Sequence, residues 1–466
     1  MQPIHMPFWQ QQALSLEAEY TPIELTQAVT ADICIVGGGY TGLWSAIKLK
    51  QSKPDLRIVI VEAKLCGSGA SGRNGGCMLT WSTKYPSLAR LFGEEEAGRL
   101  VTASENAVYE MDAFCKEHKI ECELRVDGTY YTASNNAQIG SMDSIVSQLT
   151  AKKLNSWTKQ PLEKVQRATG SYAHLEGLYS PAAGSVQPGK LVRGLKTTAE
   201  KLGITIFENS PMSTLIEGQP ATVVTSKGRV NASKVVLATN AWMPSQFREF
   251  ARSVTLVSSD MLITQPIPAL LKTIGLETGC AVVDSRTFVH YYRTTEDGRL
   301  MMGKGGNMFA FANKVSPAFD QPSRYQPILQ SALNKFFPSI PWHKVDTTWT
   351  GPSDRSVSGF PFFGYLRENP NIIYGLGYSG NGVVQTYLGA NIIRSLVLEE
   401  DDEWSRSGLA QGPRGQFPPE PIRWIGAMTV RNAIRRKEAA EDTNKSPWWF
   451  DKQLAKLAAS AGKSDK

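Results

Sequence analysis

The stretch Ala31-Asp-Ile-Cys-Ile-Val-Gly37-Gly-Gly-Tyr-Thr-Gly42 decides the fold. An apolar run of high β propensity that stops abruptly at glycine predicts a short buried strand over 31–37. A helix is expected at 42–50, Pro54 and Asp55 interrupt it, and Arg57-Ile-Val-Ile-Val-Glu62 predicts a second buried strand. In a turn of this kind Gly37 permits the bend, Gly39 lets a pyrophosphate approach the backbone, and Gly42 lets helix and strand pack closely. Glu62 closes the second strand, where a carboxylate bonds ribose hydroxyls and repels a 2′-phosphate. The unit is therefore read as an α/β dinucleotide-binding motif.

Two further glycine-rich segments extend it. Gly67-Ser-Gly-Ala-Ser-Gly-Arg-Asn-Gly-Gly76 has no apolar periodicity and suits a loop wrapping a rigid ligand through backbone N–H groups. Within it, Arg73 either adds charge near the ligand or anchors the loop to a carboxylate. Near the other end, Gly375-Leu-Gly377-Tyr-Ser-Gly380 repeats the glycine spacing between a strand at 372–376 and a helix at 383–398. That helix runs into Glu399–Asp402 rather than a strand with a terminal acid, so it is no second dinucleotide motif. Its N-terminus nevertheless aims partial positive charge at an anion, which singles out Ser379, Gly380, Asn381, Gly382 and Val383.

Composition excludes several classes. With 466 residues, 41% hydrophobic and 20% charged, the chain is an ordinary globular protein long enough for two or three units. A net charge of +7 without a dense Lys/Arg stripe does not point to nucleic acid. Six cysteines without a CxxC pair suit a reducing compartment, and five histidines without HxxxH or HxH spacing give no nucleus for a metal site. The N-terminus lacks a secretory pattern and no run of about 18 apolar residues occurs, so a cytoplasmic location is expected.

Elsewhere, helices are expected over 87–120, 135–153 and 188–202, a strand at 128–132, and a meander over 204–239. Residues 254–303 alternate, which predicts a second, antiparallel sheet carrying Tyr291 and Arg293. Of the adjacent Tyr291 and Tyr292, one should face solvent or core.

Together these segments resemble the FAD-dependent oxidoreductases of the D-amino-acid oxidase and glycine oxidase superfamily, in particular its γ-glutamylputrescine oxidase-like branch, whose dinucleotide loop is followed by Gly-Ala-Ser-Gly-Arg-Asn-Gly-Gly. That string stands here at 69–76, and Ala238-Thr-Asn-Ala-Trp242, Tyr291-Tyr-Arg293, Asp297-Gly-Arg299-Leu and Gly377-Tyr-Ser-Gly-Asn-Gly382 also match. The resemblance covers roughly 30–400, and the tail around Arg423-Trp-Ile-Gly is similar too.

The resemblance implies an α/β (α+β overall) fold: an FAD-binding Rossmann-like domain of glutathione-reductase type with an inserted antiparallel-sheet substrate domain. The expected division is an N-terminal extension, 1–30; an FAD-binding domain, 31–123, 185–250 and 350–400; a substrate-binding domain, 124–184 and 251–349; and a basic, aromatic tail, 401–466. It also implies non-covalent FAD. The contacts expected for it are Gly37, Gly39, Tyr40, Thr41 and Gly42, then Glu62 and Ala63, then Gly69, Ala70, Ser71, Arg73, Asn74, Gly75 and Gly76. Met212, Ala238, Thr239, Trp242, Gly351, Gly377, Ser379, Gly380, Asn381, Gly382 and Val383 complete the set.

The implied chemistry is hydride transfer from the carbon bearing a neutral amine to flavin N5, followed by imine hydrolysis, with oxygen or an external molecule accepting the electrons. Asn381 replaces the histidine of the superfamily's Gly-x-x-Gly-His-Gly pattern. Ser353 stands at the arginine slot of Trp-x-Gly-x-Arg-Pro, so a simple α-amino acid is held less well. An amine with a remote acidic group, γ-glutamylputrescine-like or aminophosphonate-like, is favoured, and the expected catalytic set is Asn381, Tyr291, Arg293 and Arg355. The alternative is a membrane-associated dehydrogenase that passes electrons to quinone, with the tail as its docking element. For the tail itself, a helix packed on the protein's own body or on a second subunit is the simpler expectation.

Overall fold

The computed structural model describes residues 5–17, 20–458 and 465. Its central parallel sheet runs Ile372–Leu376, Arg229–Leu237, Ala28–Val36, Ile58–Val61, Thr205–Phe207, with Phe362–Tyr365 antiparallel at the Ile372 edge. Ala221–Thr225 and Met212–Ile216 extend the free half of the Arg229 strand as an antiparallel meander. Both faces are covered. Ile33, Ile35, Ile58 and Ile60 face a cluster with Leu43, Ile47, Leu195 and Leu388 from three helices, Tyr40–Ser52, Pro188–Lys201 and Gln385–Leu398. Cys34, Val36, Val59 and Val61 face the meander side with Val223 and Phe250. Burial on two faces is why these strands read as continuous apolar runs.

The second sheet has the order Val345–Ser356, Val254–Thr264, Leu300–Phe309, His290–Thr294, Ala281–Asp284, Thr129–Ala133, Glu176–Ser180, Thr158–Lys159. It is antiparallel except where Ala281–Asp284 lies parallel to Thr129–Ala133. That single parallel register joins the two sequence segments that build the sheet.

Several expected boundaries move. The 87–120 helix is two, Tyr85–Phe92 and Glu94–Glu117, because Gly93 adopts a φ of +88°. The 135–153 helix is reduced to Asp143–Ala151 after a short turn at Asn136–Gln138. The boundary expected at 350 falls inside a strand that pairs with Val254–Thr264 from Val345 to Ser356, so residues up to 356 belong to the second sheet.

The segment expected as an N-terminal extension is built into the seam between the sheets. Trp9, in the Phe8–Leu14 helix, is fully buried with its ring centroid 5.7 Å from that of Trp349, and its carbonyl accepts from Gln187 Nε2. Further along, Arg193 pairs with both Glu17 and Glu208.

The candidate active site

The turn after Ala28–Val36 has the geometry that its glycines predict. Gly37 has a φ of +114°, and a Cβ on Gly42 would lie 2.0 Å from the Gly37 carbonyl oxygen. Gly42 does not line the cavity described below; it closes the packing of turn on helix, and this corrects its expected ligand contact. Gly39 is the N-cap of the Tyr40–Ser52 helix and has no side chain to occupy the helix N-terminus, which therefore stays open to an anion. Glu62 accepts from the amides of Gly38 (2.7 Å) and Lys64 (2.9 Å), while burial pushes its carboxyl upward.

From this turn an elongated cavity of about 1900 Å³ of atom-free space, open solvent at its mouth included, reaches across to the second sheet. Along it lie Gly37, Gly39, Tyr40, Thr41, Glu62, Ala63 and Met212, then the loop residues Gly69, Ala70, Ser71, Asn74 and Gly75. Ala238, Thr239, Trp242, Gly351, Gly380, Asn381, Gly382 and Val383 complete its wall. Ser71 Oγ accepts from the Tyr40 amide, and Thr41 Oγ1 donates to Tyr378 Oη at 3.0 Å, so the three glycine-rich segments are bonded to one another. A long, two-part ligand fits this shape: glycine backbone at one end, an apolar slot against a sheet at the other.

Arg73 also borders the cavity, but its guanidinium is committed to Asp320 (2.6 Å) and to the carbonyls of Phe319 and Ser68. It anchors the loop to a carboxylate. Its own carbonyl accepts from Trp349 Nε1, which ties the loop to the second sheet.

Four other expected contacts lie outside the cavity. Gly76 is pressed against the Val186 carbonyl and the Arg293 side chain. The Gly377 amide bonds Asp354 Oδ2 at 2.5 Å, and Ser379 Oγ donates to the Gly377 carbonyl. Arg293 donates to the carbonyls of Gly75 (2.8 Å), Val186 (2.7 Å) and Thr294 (3.0 Å), with Trp9 beneath its guanidinium. It follows Tyr291 on the same face of its strand but is covered by residues 75–76 and 186, and burial brings it down to about 10. Arg293 thus supports the loop from behind and has no access to a substrate.

Tyr291 does line the cavity. Its ring stands between Gly75 and Gly303, where an added Cβ would lie 2.4 and 2.2 Å from it, and its hydroxyl is 2.8 Å from Ser259 Oγ. Tyr292 points the opposite way into the core, against Phe336 and Phe337. Arg355 borders the cavity two residues beyond Ser353 on the same strand face; it donates to the Ser379 carbonyl at 2.5 Å and packs against Gly380. Burial lowers it to about 10. Asp354 lies between them in sequence and is pushed up to about 6 by burial, against the amides of Gly377 and Ser379 that favour its charged form.

Ser259, Met261, Val283, Val289 and Gly305 line the sheet end of the cavity and carry no motif of their own. Alternation along Val254–Thr264 places Ser259 and Met261 on one face, but which face is covered depends on the partner strands. Of the two cysteines flanking the loop, Cys66 is buried under Gly38, whereas Cys77 borders the cavity.

The cavity thus joins a glycine turn with an open helix N-terminus, suited to a dinucleotide, to the face of an inserted sheet. Residues 32–396 match the model of the FAD dependent oxidoreductase family (DAO), and the chain belongs to that family. It is similar to the gamma-glutamylputrescine oxidoreductase of Escherichia coli K12, 28% identical over 403 residues, covering 86% of this chain and 91% of the relative. A probable oxidoreductase OrdL of Haemophilus influenzae is 27% identical over 394 residues, covering 82% and 86%. In fold it resembles the glycine oxidase of Geobacillus kaustophilus, with a TM-score of 0.68 at 17% identity, covering 83% of this chain and all of that one. The protein is an FAD-dependent oxidoreductase acting on amines or amino acids. Among the described residues no helix is long and apolar enough to cross a membrane.

Proposed function

We propose that the protein oxidises a primary or secondary amine whose acidic group lies several bonds from the reacting carbon, as in a γ-glutamyl polyamine conjugate or an aminophosphonate. The observation that carries this reading is the position of Arg355. Successive same-face residues of a strand are about 7 Å apart, so moving the cationic group from 353 to 355 shifts anion recognition by that distance along the cavity wall. The name of the Escherichia coli relative supports the same substrate class.

In this reading the Gly37–Thr41 turn and its open helix end hold the pyrophosphate, Glu62 the ribose, and Gly69–Gly75 with Gly380–Val383 the flavin ring. FAD, when bound, supplies the hydride acceptor. Tyr291 and Ser259 form the wall that orients the amine, Asn381 offers an amide hydrogen bond at the ring, and Arg355 holds the distant carboxylate or phosphonate. The FAD-binding domain then comprises 31–123, 185–250 and 357–400, and the substrate domain 124–184 and 251–356.

Anaerobic flavin reduction by γ-glutamylputrescine, putrescine, glycine and sarcosine tests it. The acid-bearing conjugate should bleach the flavin at concentrations at least about tenfold lower than putrescine, the loss expected for one well-placed charged contact. Reduction by glycine at the same concentrations as the conjugate would overturn the reading. Peroxide measured alongside imine identifies whether oxygen or an external molecule takes the electrons.

A further inference from the structure

The segment after Thr443 stands apart from the rest of the tail. The preceding helix, Ile422–Asp442, is fixed to the body: Arg423 donates to the Ala251 and Val254 carbonyls, Arg431 to the Asn307 carbonyl, and Asp442 pairs with Arg286. The final helix, Trp449–Lys456, lies on this one and is held by an Arg436–Asp451 ion pair of 2.6 Å.

That ion pair has a second effect. Asp451 is the one acid between Thr443 and Ala458, and it is turned inward, 3% exposed. The outward side carries Trp448, Trp449, Phe450 and Leu457, respectively 68, 67, 46 and 74% exposed. Lys445, Lys452 and Lys456 are exposed among them, and the Lys452 ammonium reaches only a neutral partner, Ser446 Oγ, at 3.3 Å. Positions 449, 452, 453, 456 and 457 share one face of the helix, so indole, lysine and leucine side chains project in one direction.

Three consecutive aromatic side chains left in water are unfavourable, and the surfaces of soluble proteins rarely keep such a cluster without a use. Aromatic rings bordered by lysines, with the local acid removed, match the chemistry of a lipid headgroup boundary: rings settle at the acyl edge, and each lysine is drawn to an anionic surface. A protein interface also buries tryptophan but is depleted in lysine, so rings bordered by three lysines favour an anionic lipid surface. We propose that the Trp448–Leu457 face is a peripheral docking surface for an anionic lipid bilayer. The inference is independent of which amine the enzyme oxidises.

The test is co-sedimentation of the FAD-loaded protein with vesicles of phosphatidylcholine alone and of phosphatidylcholine mixed with phosphatidylglycerol. Sedimentation with the mixed vesicles and not with the neutral ones, weakened by salt, is the expected result. A W448S/W449S/F450S variant and a K445Q/K452Q/K456Q variant should each lower binding at least about tenfold while keeping the flavin absorption spectrum, which reports folding. Failure to sediment with either vesicle, or equal binding by the aromatic variant, overturns the proposal. So does light scattering that finds a dimer made monomeric by W448S/W449S/F450S, because a second copy of the chain would then cover the face.

Discussion

The Arg355 guanidinium donates to the Ser379 carbonyl at 2.5 Å, joining the last strand of the second sheet to the turn that opens the Gln385–Leu398 helix. One side chain thereby borders the cavity while fixing the turn beside Asn381. R355M should raise the dissociation constant for an acid-bearing amine by about tenfold or more, with a much smaller effect for an amine lacking the acid. R355K keeps the charge but not the planar fork and should fall between. Stopped-flow flavin reduction across substrate concentrations separates affinity from the limiting rate; equal losses for acidic and plain amines would show that Arg355 acts through the turn alone.

Gly42 gives a prediction for cofactor retention. Its Cβ would approach the Gly37 carbonyl oxygen to 2.0 Å, and that carbonyl cannot yield without deforming the turn. G42A should cost about 1–3 kcal/mol of stability, the usual penalty of overpacking, and release FAD. The flavin-to-protein absorbance ratio after gel filtration, together with the thermal midpoint, measures both effects.

A third expectation concerns acid. His174 is fully buried, its Nε2 lies 2.6 Å from Tyr292 Oη, its Nδ1 has no hydrogen-bond partner among the described residues, and burial lowers its pKa from 6.5 to about 3. In the unfolded chain the same imidazole takes a proton near 6.5, so below that value the unfolded state binds more protons and stability falls as the pH drops. At pH 5 this one group should cost about 2 kcal/mol relative to pH 8. His290, lowered to about 4 by burial, titrates in the same direction. Thermal midpoints should decline between pH 7 and 5, and H174Q should flatten part of that slope; an unchanged slope would refute the assignment.

What was legible in the sequence follows from where local backbone demands decide the outcome. Gly37, Gly39, Gly42 and Glu62 are readable because a tight turn, a close approach and a strand-end acid each require a particular residue type. The Ile372–Leu376 strand keeps its expected bounds because an apolar run ending in glycine offers few alternatives. Arg293 shows the limit: alternation puts it on the same face as Tyr291, but coverage of that face is set by residues 75–76 and 186, more than a hundred positions away. Ser259 and Met261 stay silent for the same reason. The tail divides by the same logic, since Arg423, Trp424 and Arg431 find carbonyls on the body while Trp448 and Trp449 stand exposed.

The placement of Trp9 bears on how the molecule comes together. Its ring rests on Trp349, its carbonyl accepts from Gln187, and nearby His5 bonds the Thr348 carbonyl, so two of these three contacts join residues more than three hundred positions apart. During synthesis the Pro188–Lys201 helix is available to this helix early, but the Trp349 side of Trp9 can be covered only once the strand carrying Thr348 and Trp349 has emerged. Loop closure over such a separation is slow and leaves apolar surface open to wrong associations. Completion of the seam between the two sheets is therefore a late event in assembly.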